Sequence, residues 1–481
     1  MEVKLELIRK RRNIAYEEIR DKNGITLLVL AITIVIILIL AGISIDIVFS
    51  ENGIIDKAKE IANNMNNQIG EDQSEINDLL NELENSMKEP EDIDGINNIK
   101  VTTEYTTEEI TINVEVETTS EDIEYEYYVD GELKSTQKEN SYTEKITLEN
   151  KEPYIPNGFS YTEGTVDTGY VIKDTSVGNE FVWIPVASGT FNVYVVAKDE
   201  EGNSIKSEEQ TLEISELTRK VNGSSIEYTS WEEEEGDIKD KKSLAYFKRS
   251  VVKNSGFYMG RYEMGMPGQK SGDAPVLEFT REARNIEGVP VCVGQVLPWN
   301  YIDWSTAKKN LESMYNGEVE SAMINSYART TMLNWLMKTG AKTLTELENS
   351  KEWGCYYGTD FKFKGHYCIC SGDGNERYGG KIEEYYSTWY LTEAAMLYIY
   401  ISTGADTEIQ KRNSANNIFD IAGNVGEWST EKKKDGSGYR ISSEGVFGSS
   451  VAHPAIDNNV ELAMSNITGD MDTSSRPILY K

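Results

Sequence analysis

The feature that most constrains this chain is the uninterrupted apolar stretch at residues 25–45, ITLLVLAITIVIILILAGISI. It contains no charged side chain, and as a helix it would be about 32 Å long, close to the thickness of a bilayer core. Its threonine and serine hydroxyls can hydrogen-bond to carbonyls of the same helix. Because the stretch has no polar face to turn toward water, we expect a membrane-spanning helix rather than a buried core helix or a cleaved signal peptide.

A basic leader, residues 1–24, precedes this stretch and ends in KNG, and the apolar run then begins with ITL. This pattern resembles the N-terminus of the type IV pilin (prepilin) family. The resemblance implies that a prepilin peptidase cuts after Gly24, leaves Ile25 as the new N-terminus, and makes other pilins possible partners. Pilins usually carry a glutamate where this chain has Val29. The resemblance therefore predicts membrane insertion through residues 25–45 and leaves assembly into a pilus open.

The charge distribution predicts the orientation of the chain. The net charge is −33 over 481 residues, yet residues 1–24 carry seven lysines and arginines against five acidic residues. Basic residues beside an apolar helix stay in the cytoplasm, so the acidic remainder is expected outside a bacterial cell membrane, as a single-pass surface protein. So acidic a chain is not expected to bind nucleic acid, since binding requires neutralisation of phosphates.

The region after the apolar stretch divides into a stalk and a β-rich segment. Residues 25–87 form one predicted unit, the spanning or pilin helix with an amphipathic helical stalk that is either a spacer or a coiled-coil seam. Apolar and polar residues then alternate in short runs, with Asp130-Gly131 as a hairpin turn. Because the run resumes downstream, we expect a discontinuous β-sandwich of immunoglobulin or fibronectin III type at 98–150 plus 189–215, acting as a spacer.

The rest of the chain, residues 151–188 plus 216–481, contains four motif segments: FVWIPV at 181–186, GFYMGRYE at 256–263, IFDIAGNVGEW at 418–428 and SRPILY at 475–480. These segments resemble those of the formylglycine-generating enzyme (sulfatase-modifying factor) family. The resemblance implies a C-type-lectin-like α+β domain. Together these features predict a multidomain chain: a spanning helix, a β-sandwich and a lectin-fold head.

The cysteines argue against the family's chemistry. Formylglycine-generating members use two cysteines near the C-terminal end to bind copper(I), a soft ion that selects thiolates. This chain has four cysteines, Cys292, Cys355, Cys368 and Cys370, and none follows residue 370. We therefore predict no catalytic residues and no enzyme activity. A zinc site from three of these cysteines with His366, a single disulfide, and a formylglycine-type oxidase using Cys368 and Cys370 are the alternatives.

The resemblance also implies structural calcium. In the family, the loop matching 418–428 holds calcium through oxygen atoms, which a hard cation prefers. Carried over, the ligands are the side chains of Asp420 and Glu427 and the carbonyls of Gly423 and Val425. The alternative is a turn in which the two acidic residues only cap local N–H groups.

The segment from Tyr439 to Met471 departs most from the family. Small polar and apolar residues alternate there, and the architecture resembles the variable proteins of diversity-generating retroelements, which rewrite surface positions of a C-terminal lectin-like domain. We therefore predict binding of an extracellular protein or glycan, possible diversification at 442–473, and Phe447, Trp428, Trp299 and Tyr439 as candidate anchors. The predicted ligand-binding residues are Ser442, Ser443, Glu444, Phe447, Ser449, His453, Asp457, Asn459, Asn466, Thr468 and Asp470. A structural minor pilin without a ligand is the alternative.

Overall fold

The computed structural model describes residues 96–225, 229–273, 281–349, 353–354, 360–361, 365–371, 377–382, 386–387, 397–404, 414–443, 455 and 473–481. The predicted leader, spanning helix and stalk lie outside these residues, and so does the Gly24–Ile25 processing site. No helix within the described ranges is both long and apolar enough to cross a bilayer. The described part is mostly β-sheet with few helices, compatible with the β-rich multidomain prediction.

The strands and helices are numbered here in chain order. The strands are β1 Ile96–Tyr105, β2 Glu109–Thr118, β3 Ile123–Val129, β4 Glu132–Gln137, β5 Ser141–Lys145, β6 Phe159–Glu163, β7 Val171–Asp174, β8 Glu180–Pro185, β9 Ser188–Asp199, β10 Ser204–Lys206, β11 Gln210–Ser215, β12 Trp231–Glu232, β13 Gly256–Gly260, β14 Glu320–Met323, β15 Asp360–Phe361, β16 Gly365–Ser371, β17 Arg377–Ile382, β18 Tyr386–Ser387, β19 Leu397–Ile401, β20 Ser414–Ala415, β21 Ile418–Phe419, β22 Gly426–Lys433, β23 Arg440–Ser443, β24 Thr473–Ser475 and β25 Pro477–Tyr480. The helices are α1 Leu244–Asn254, α2 Arg281–Arg284, α3 Trp304–Glu312, α4 Ser326–Lys338 and α5 Leu344–Glu348.

Two sheets form the first half of the described chain around one apolar core. One sheet has the order β1-β2-β5, and the other has the order β10-β9-β3-β4, with β11 also pairing with β9. Alternate residues point into the core, as a half-buried strand requires: Ile110, Ile112 and Val114 on β2 face Val193 and Val195 of β9 across the same cluster.

The pairing of β3 with β9 joins two separate parts of the sequence. Tyr127 lies opposite Val195 in antiparallel register, although β6 to β8 intervene between the two strands. The turn between β3 and β4 has positive φ at Asp130 (51°) and Gly131 (77°), the two left-handed positions of a type I′ hairpin. The hairpin turn expected there is therefore present.

The second half is built on a six-stranded sheet of order β14-β25-β13-β8-β7-β6. The segments at 181–186, 256–263 and 475–480 meet in this sheet, because β13 pairs with β8 on one side and with β25 on the other. Helices α1 and α4 pack against it through one apolar cluster that includes Phe247 and Leu336. A smaller sheet, in which β12, β23 and β24 all pair with β22, carries the candidate site.

Helix α4 shows how local chemistry sets the boundaries of these elements. The Asn325 side chain accepts the N–H of Ala328, so it caps the first turn of α4. In the same way, Ser243 caps α1 by accepting the N–H of Tyr246. Both helices are thereby held at their starting points, with their apolar faces on the sheet.

Candidate functional site

The site is built on the loop that leads into β22. Asp420 (φ 60°) and Asn424 (φ 73°) both take left-handed backbone, which Asp and Asn tolerate better than most residues. Gly423 is required for a different reason: a Cβ there would lie 2.4 Å from the carbonyl oxygen of Gly354. The loop is therefore pressed against a second backbone segment, and its path is rigidly defined.

A buried ion-pair network connects this loop to the last strand of the chain. Two guanidinium nitrogens of Arg476 contact one carboxylate oxygen of Glu427, at 2.7 and 2.6 Å, and Arg329 lies 3.5 Å from the other oxygen. Arg476 also donates to the carbonyls of Gly260 and Phe419, at 3.0 and 2.8 Å. All three charged residues are almost completely buried. The arginines thus balance a carboxylate that burial alone would make very unfavourable.

Glu263 is a further buried carboxyl group beside this network. It is fully buried and accepts hydrogen bonds from the Asn424 side-chain amide, at 2.7 Å, and from the Val425 N–H, at 3.2 Å. Burial, followed by the neighbouring carboxylates of Asp420 and Glu427, raises the pKa of Glu263 well above its usual range. Three carboxyl groups therefore lie close together beneath the loop, balanced in part by Arg476.

The predicted calcium ligands occupy part of this cluster. Asp420 is buried and accepts a hydrogen bond from the Thr403 hydroxyl at 2.6 Å, while Glu427 is bound by Arg476. Within the described ranges, no group of three or more acidic, histidine or cysteine side chains has a metal-binding arrangement. The oxygen donors fit a hard cation in type. However, Arg476 already supplies positive charge to one of the two carboxylates, so calcium stays a prediction.

Strands β23 and β24 flank β22 and frame the segment predicted to bind ligand. Ser443 on β23 and Ser474 on β24 both lie opposite Glu427 of β22. The two strand ends that flank residues 444–472 in sequence are therefore held next to the same residue of β22. Ala455 is the one described residue between these strands; it is buried, and its carbonyl accepts a hydrogen bond from Arg329 at 2.9 Å. Arg329 thus contacts both Glu427 on β22 and Ala455 within residues 444–472.

The structure places only a few of the predicted ligand-binding residues. Ser442 lies opposite Trp428 and is fully buried, which is incompatible with direct contact to an external ligand in this conformation. Ser443 ends β23. Glu444, Phe447, Ser449, His453, Asp457, Asn459, Asn466, Thr468 and Asp470 lie outside the described residues.

Two of the candidate aromatic anchors are core residues. The indole N–H of Trp428 donates to the Ile302 carbonyl at 3.1 Å, and that of Trp299 donates to the Arg284 carbonyl at 2.7 Å. Both side chains are buried in one apolar cluster. Their prediction as surface anchors is therefore wrong, because both rings are part of the packed core beneath β22. Tyr439 is partly exposed.

The charged partners of the motif were missed by sequence reasoning. Glu263, Arg329 and Arg476 each lie in segments that are otherwise largely apolar and buried. A charged residue inside an apolar segment is the signal that could have drawn attention to them, because a buried charge needs a partner. The sequence does not reveal which charges meet.

Cys292 is the cysteine whose side-chain surroundings the structure describes. Cys292 is a free, fully buried thiol whose sulfur lies 3.3 Å from the Glu180 carbonyl and 3.2 Å from that of Tyr262. Burial raises the pKa of this thiol to about 12, so it stays protonated at neutral pH. Cys368 and Cys370 lie two residues apart on β16. Cys355 lies outside the described residues.

No protein-family model, curated protein or solved structure matched this chain. The resemblances to prepilins, to formylglycine-generating enzymes and to retroelement variable proteins therefore stay predictions made from short motifs.

Proposed function

We propose that this chain is a membrane-anchored surface protein that binds an extracellular protein or glycan through residues 444–472. The observation that carries the proposal is the common register of Ser443 and Ser474 opposite Glu427. A long segment whose two ends are held on one rigid strand can vary in sequence without disturbing the fold beneath it. Binding loops on rigid scaffolds follow this rule generally.

The buried network below the frame supports the same proposal. Arg476 and Arg329 both contact Glu427, and Arg329 also contacts Ala455 within the segment. The base of the segment is thus bound to the core by charge-assisted hydrogen bonds, which are directional and strong in a buried setting. A segment held in this way loses less conformational entropy when it binds a partner.

The N-terminal sequence supports the membrane anchoring and the orientation of the chain. The apolar stretch at 25–45, with its basic leader, is expected to anchor the chain in a bacterial cell membrane with the remainder outside. Cleavage after Gly24 by a prepilin peptidase, contacts with other pilins, and diversification of the binding segment are further parts of this proposal. Calcium on the Asp420 loop is another part, and its role is structural.

The proposal is tested by binding of the full-length chain, purified in a non-ionic detergent, to arrays of immobilised glycans and extracellular proteins. The test variant changes Asp457, Asn459, Asn466 and Thr468 together to alanine. We expect the wild type to bind a limited set of ligands and the variant to bind them at least about tenfold more weakly, with an unchanged Tm.

A matched variant places three alanines on the exposed face of the sandwich, at Thr102, Glu104 and Glu117. This control should bind like the wild type. If it loses binding equally, the sandwich rather than the 444–472 segment binds the ligand. If the wild type binds nothing on either array, the structural pilin alternative is favoured.

Diversification has its own test. The gene for this chain is sequenced from several isolates, and amino-acid changes are mapped onto the chain. We expect the changes to concentrate between Ser443 and Thr473, which frame the segment. An even spread along residues 96–481 would contradict diversification without affecting the binding proposal.

A further inference from the structure

A separate cavity of about 230 Å³ lies between α1, α3 and the strands β22 and β23. Its apolar wall includes Leu244 and Phe247 of α1, and Trp304 of α3 forms one side. Pockets for drug-sized ligands are usually larger, about 300 Å³ or more. This cavity is therefore suited to a small molecule with an apolar part.

Arg440 is the unusual group in this cavity. Its guanidinium carbon lies 3.8 Å from the centre of the Trp304 ring, and the indole N–H is bound to the Ser429 carbonyl at 2.7 Å. Stacking of this kind leaves the edge of the guanidinium free to bind a planar anion. Within the described residues, the one side-chain hydrogen bond of Arg440 is a long one, 3.4 Å, from Nη1 to the Thr430 carbonyl.

The hydrogen-bonding capacity of Arg440 is thus largely unused. Its Nε is buried without a hydrogen-bond partner, and it forms no ion pair with any residue that the structure describes. The other two cations lining the cavity are occupied: Lys308 pairs with Glu312, and Lys242 lies 2.8 Å from Glu320. Arg440 is partly buried and its Nε has no hydrogen-bond partner among the described residues, so its guanidinium is a suitable place for a further anion.

The acidic residues that line the cavity also differ in whether they have partners. The two carboxylate oxygens of Glu233 accept hydrogen bonds from the Ser326 N–H and the Thr430 hydroxyl, both at 2.8 Å. Glu234 lies 3.6 Å from Lys432. Asp240 is exposed, its carboxylate accepts the Lys242 N–H at 3.0 Å, and it forms no ion pair within the described ranges. Among the described charged residues of the wall, Arg440, Glu233 and Asp240 form no ion pair. Both oxygens of Glu233 are hydrogen-bonded, so Asp240 is the exposed carboxylate that stays available.

We propose that this cavity binds a free α-amino acid with an apolar side chain, its carboxylate on Arg440 and its ammonium group toward Asp240. The guanidinium fork matches a carboxylate in shape, and the charge-assisted bonds would use the atoms that now lack partners. The apolar side chain would lie against Leu244 and Phe247. A phosphate or sulfate would be repelled by the four acidic side chains of the wall more strongly than a monovalent carboxylate.

The proposal is tested by isothermal titration of the full-length chain in detergent with three related probes. L-leucine carries both charges, L-leucinamide lacks the carboxylate, and N-acetyl-L-leucine lacks the ammonium group and resembles a peptide C-terminus. We expect L-leucine to bind and the other two to bind at least about tenfold more weakly, because each leaves one charged group of the cavity unpaired.

Two variants and one control connect the binding to the cavity. Arg440→Lys keeps the charge but loses the planar fork, and Asp240→Asn removes the unpaired carboxylate; both should weaken L-leucine binding at least about tenfold. Arg249→Gln removes an exposed cation of α1 that does not line the cavity, and it should bind like the wild type. The Tm of each variant is measured alongside to verify folding.

Three outcomes would overturn the inference. L-leucine binding that is absent at millimolar concentration, or unchanged in Arg440→Lys, would mean that Arg440 is solvated by water only. N-acetyl-L-leucine binding as tightly as L-leucine would point to a peptide C-terminus instead of a free amino acid. Equal competition by sulfate would show a general anion site. None of these outcomes bears on binding by residues 444–472.

Discussion

Arg476 and Glu427 form a buried ion pair in which two guanidinium nitrogens meet one carboxylate oxygen, at 2.7 and 2.6 Å. Arg476 lies between β24 and β25, at the C-terminal end of the chain, and Glu427 lies on β22. The pair therefore joins the six-stranded sheet, which contains β25, to the smaller sheet that frames residues 444–472. Four predictions follow from this pair and its surroundings.

Removing the arginine should be strongly destabilising. Arg476→Gln removes two close charge-assisted contacts from the buried Glu427 carboxylate and leaves Arg329, which lies farther away at 3.5 Å. Breaking a buried pair in this way costs about 3–5 kcal/mol, which we expect as a loss in the free energy of unfolding measured with urea. Lys481→Gln, which breaks an exposed 3.4 Å pair with Glu318, is the control and should cost about 1 kcal/mol or less. Equal effects of the two changes would refute a structural role for the buried pair.

The loop before β22 should not accept a side chain at Gly423. A Cβ there would approach the Gly354 carbonyl oxygen to 2.4 Å, so Gly423→Ala must displace one backbone segment. We expect it to lower the free energy of unfolding by about 1–3 kcal/mol, the usual cost of overpacking. Gly317→Ala is the matched control, since nothing lies within 4 Å of its Cβ position. A neutral Gly423→Ala would mean that the two loops separate easily.

Glu431 should make stability depend on pH. Burial, then the charge of Glu233, raises its pKa to about 7, against 4.5 for an unperturbed glutamate. Between these values the folded state binds more protons than the unfolded state, so stability decreases as pH rises from about 4.5 to 7. We expect the wild type to lose about 1–3 kcal/mol more than Glu431→Gln across this window, measured by urea unfolding.

Only the difference in slope between the two proteins is informative for Glu431. The ion pair between Arg219 and Glu431 forms only while Glu431 is ionised, so its effect is part of the pH-dependent slope that Glu431→Gln removes. The net charge of −33 adds a slope that both proteins share. Parallel curves for the two proteins would show that Glu431 titrates at its ordinary pKa in the folded state.

Calcium binding is tested by thermal unfolding with and without a chelator. Extracellular calcium modules bind with Kd values up to about 1 mM, so about 10 mM calcium saturates such a site. If calcium binds the loop, Tm rises by a few degrees and the rise disappears in Asp420→Asn, which removes a predicted ligand. The same Tm in calcium and chelator would leave Arg476 as the charge that balances Glu427 and would remove calcium from the proposal.

The sandwich shows how much of a fold local pattern can predict. The alternation on β2 and the Asp130-Gly131 turn were visible in the sequence, because a strand has a period of two and a type I′ turn needs residues that tolerate positive φ. The pairing of β3 with β9 could be anticipated because each strand needs a partner to bury its apolar face. Strand periodicity and turn geometry depend on residues that are close in the sequence, so the sequence alone predicts them.

The candidate site was predicted less well. The motif at 418–428 was predicted as a loop, and the structure has a loop there between β21 and β22. Ser442 and Trp428, expected at a contact surface, are buried. Burial depends on what packs over the face of a strand, and here Trp428 lies in an apolar cluster with Trp299 and Leu311. The packing over a strand is set by segments that are distant in the sequence, so the local pattern does not predict it.

The sequence by itself determined the apolar stretch, the acidic remainder, the faces of the strands and the turns, because each depends on residues that are close along the chain. Only the tertiary structure decided that Arg476 meets Glu427, that Glu263 lies beneath the loop, and that Arg440 stacks on Trp304. The physical reason is that the energy of a charge depends on its burial and its partners. Both are set by contacts between residues that are tens to hundreds of positions apart.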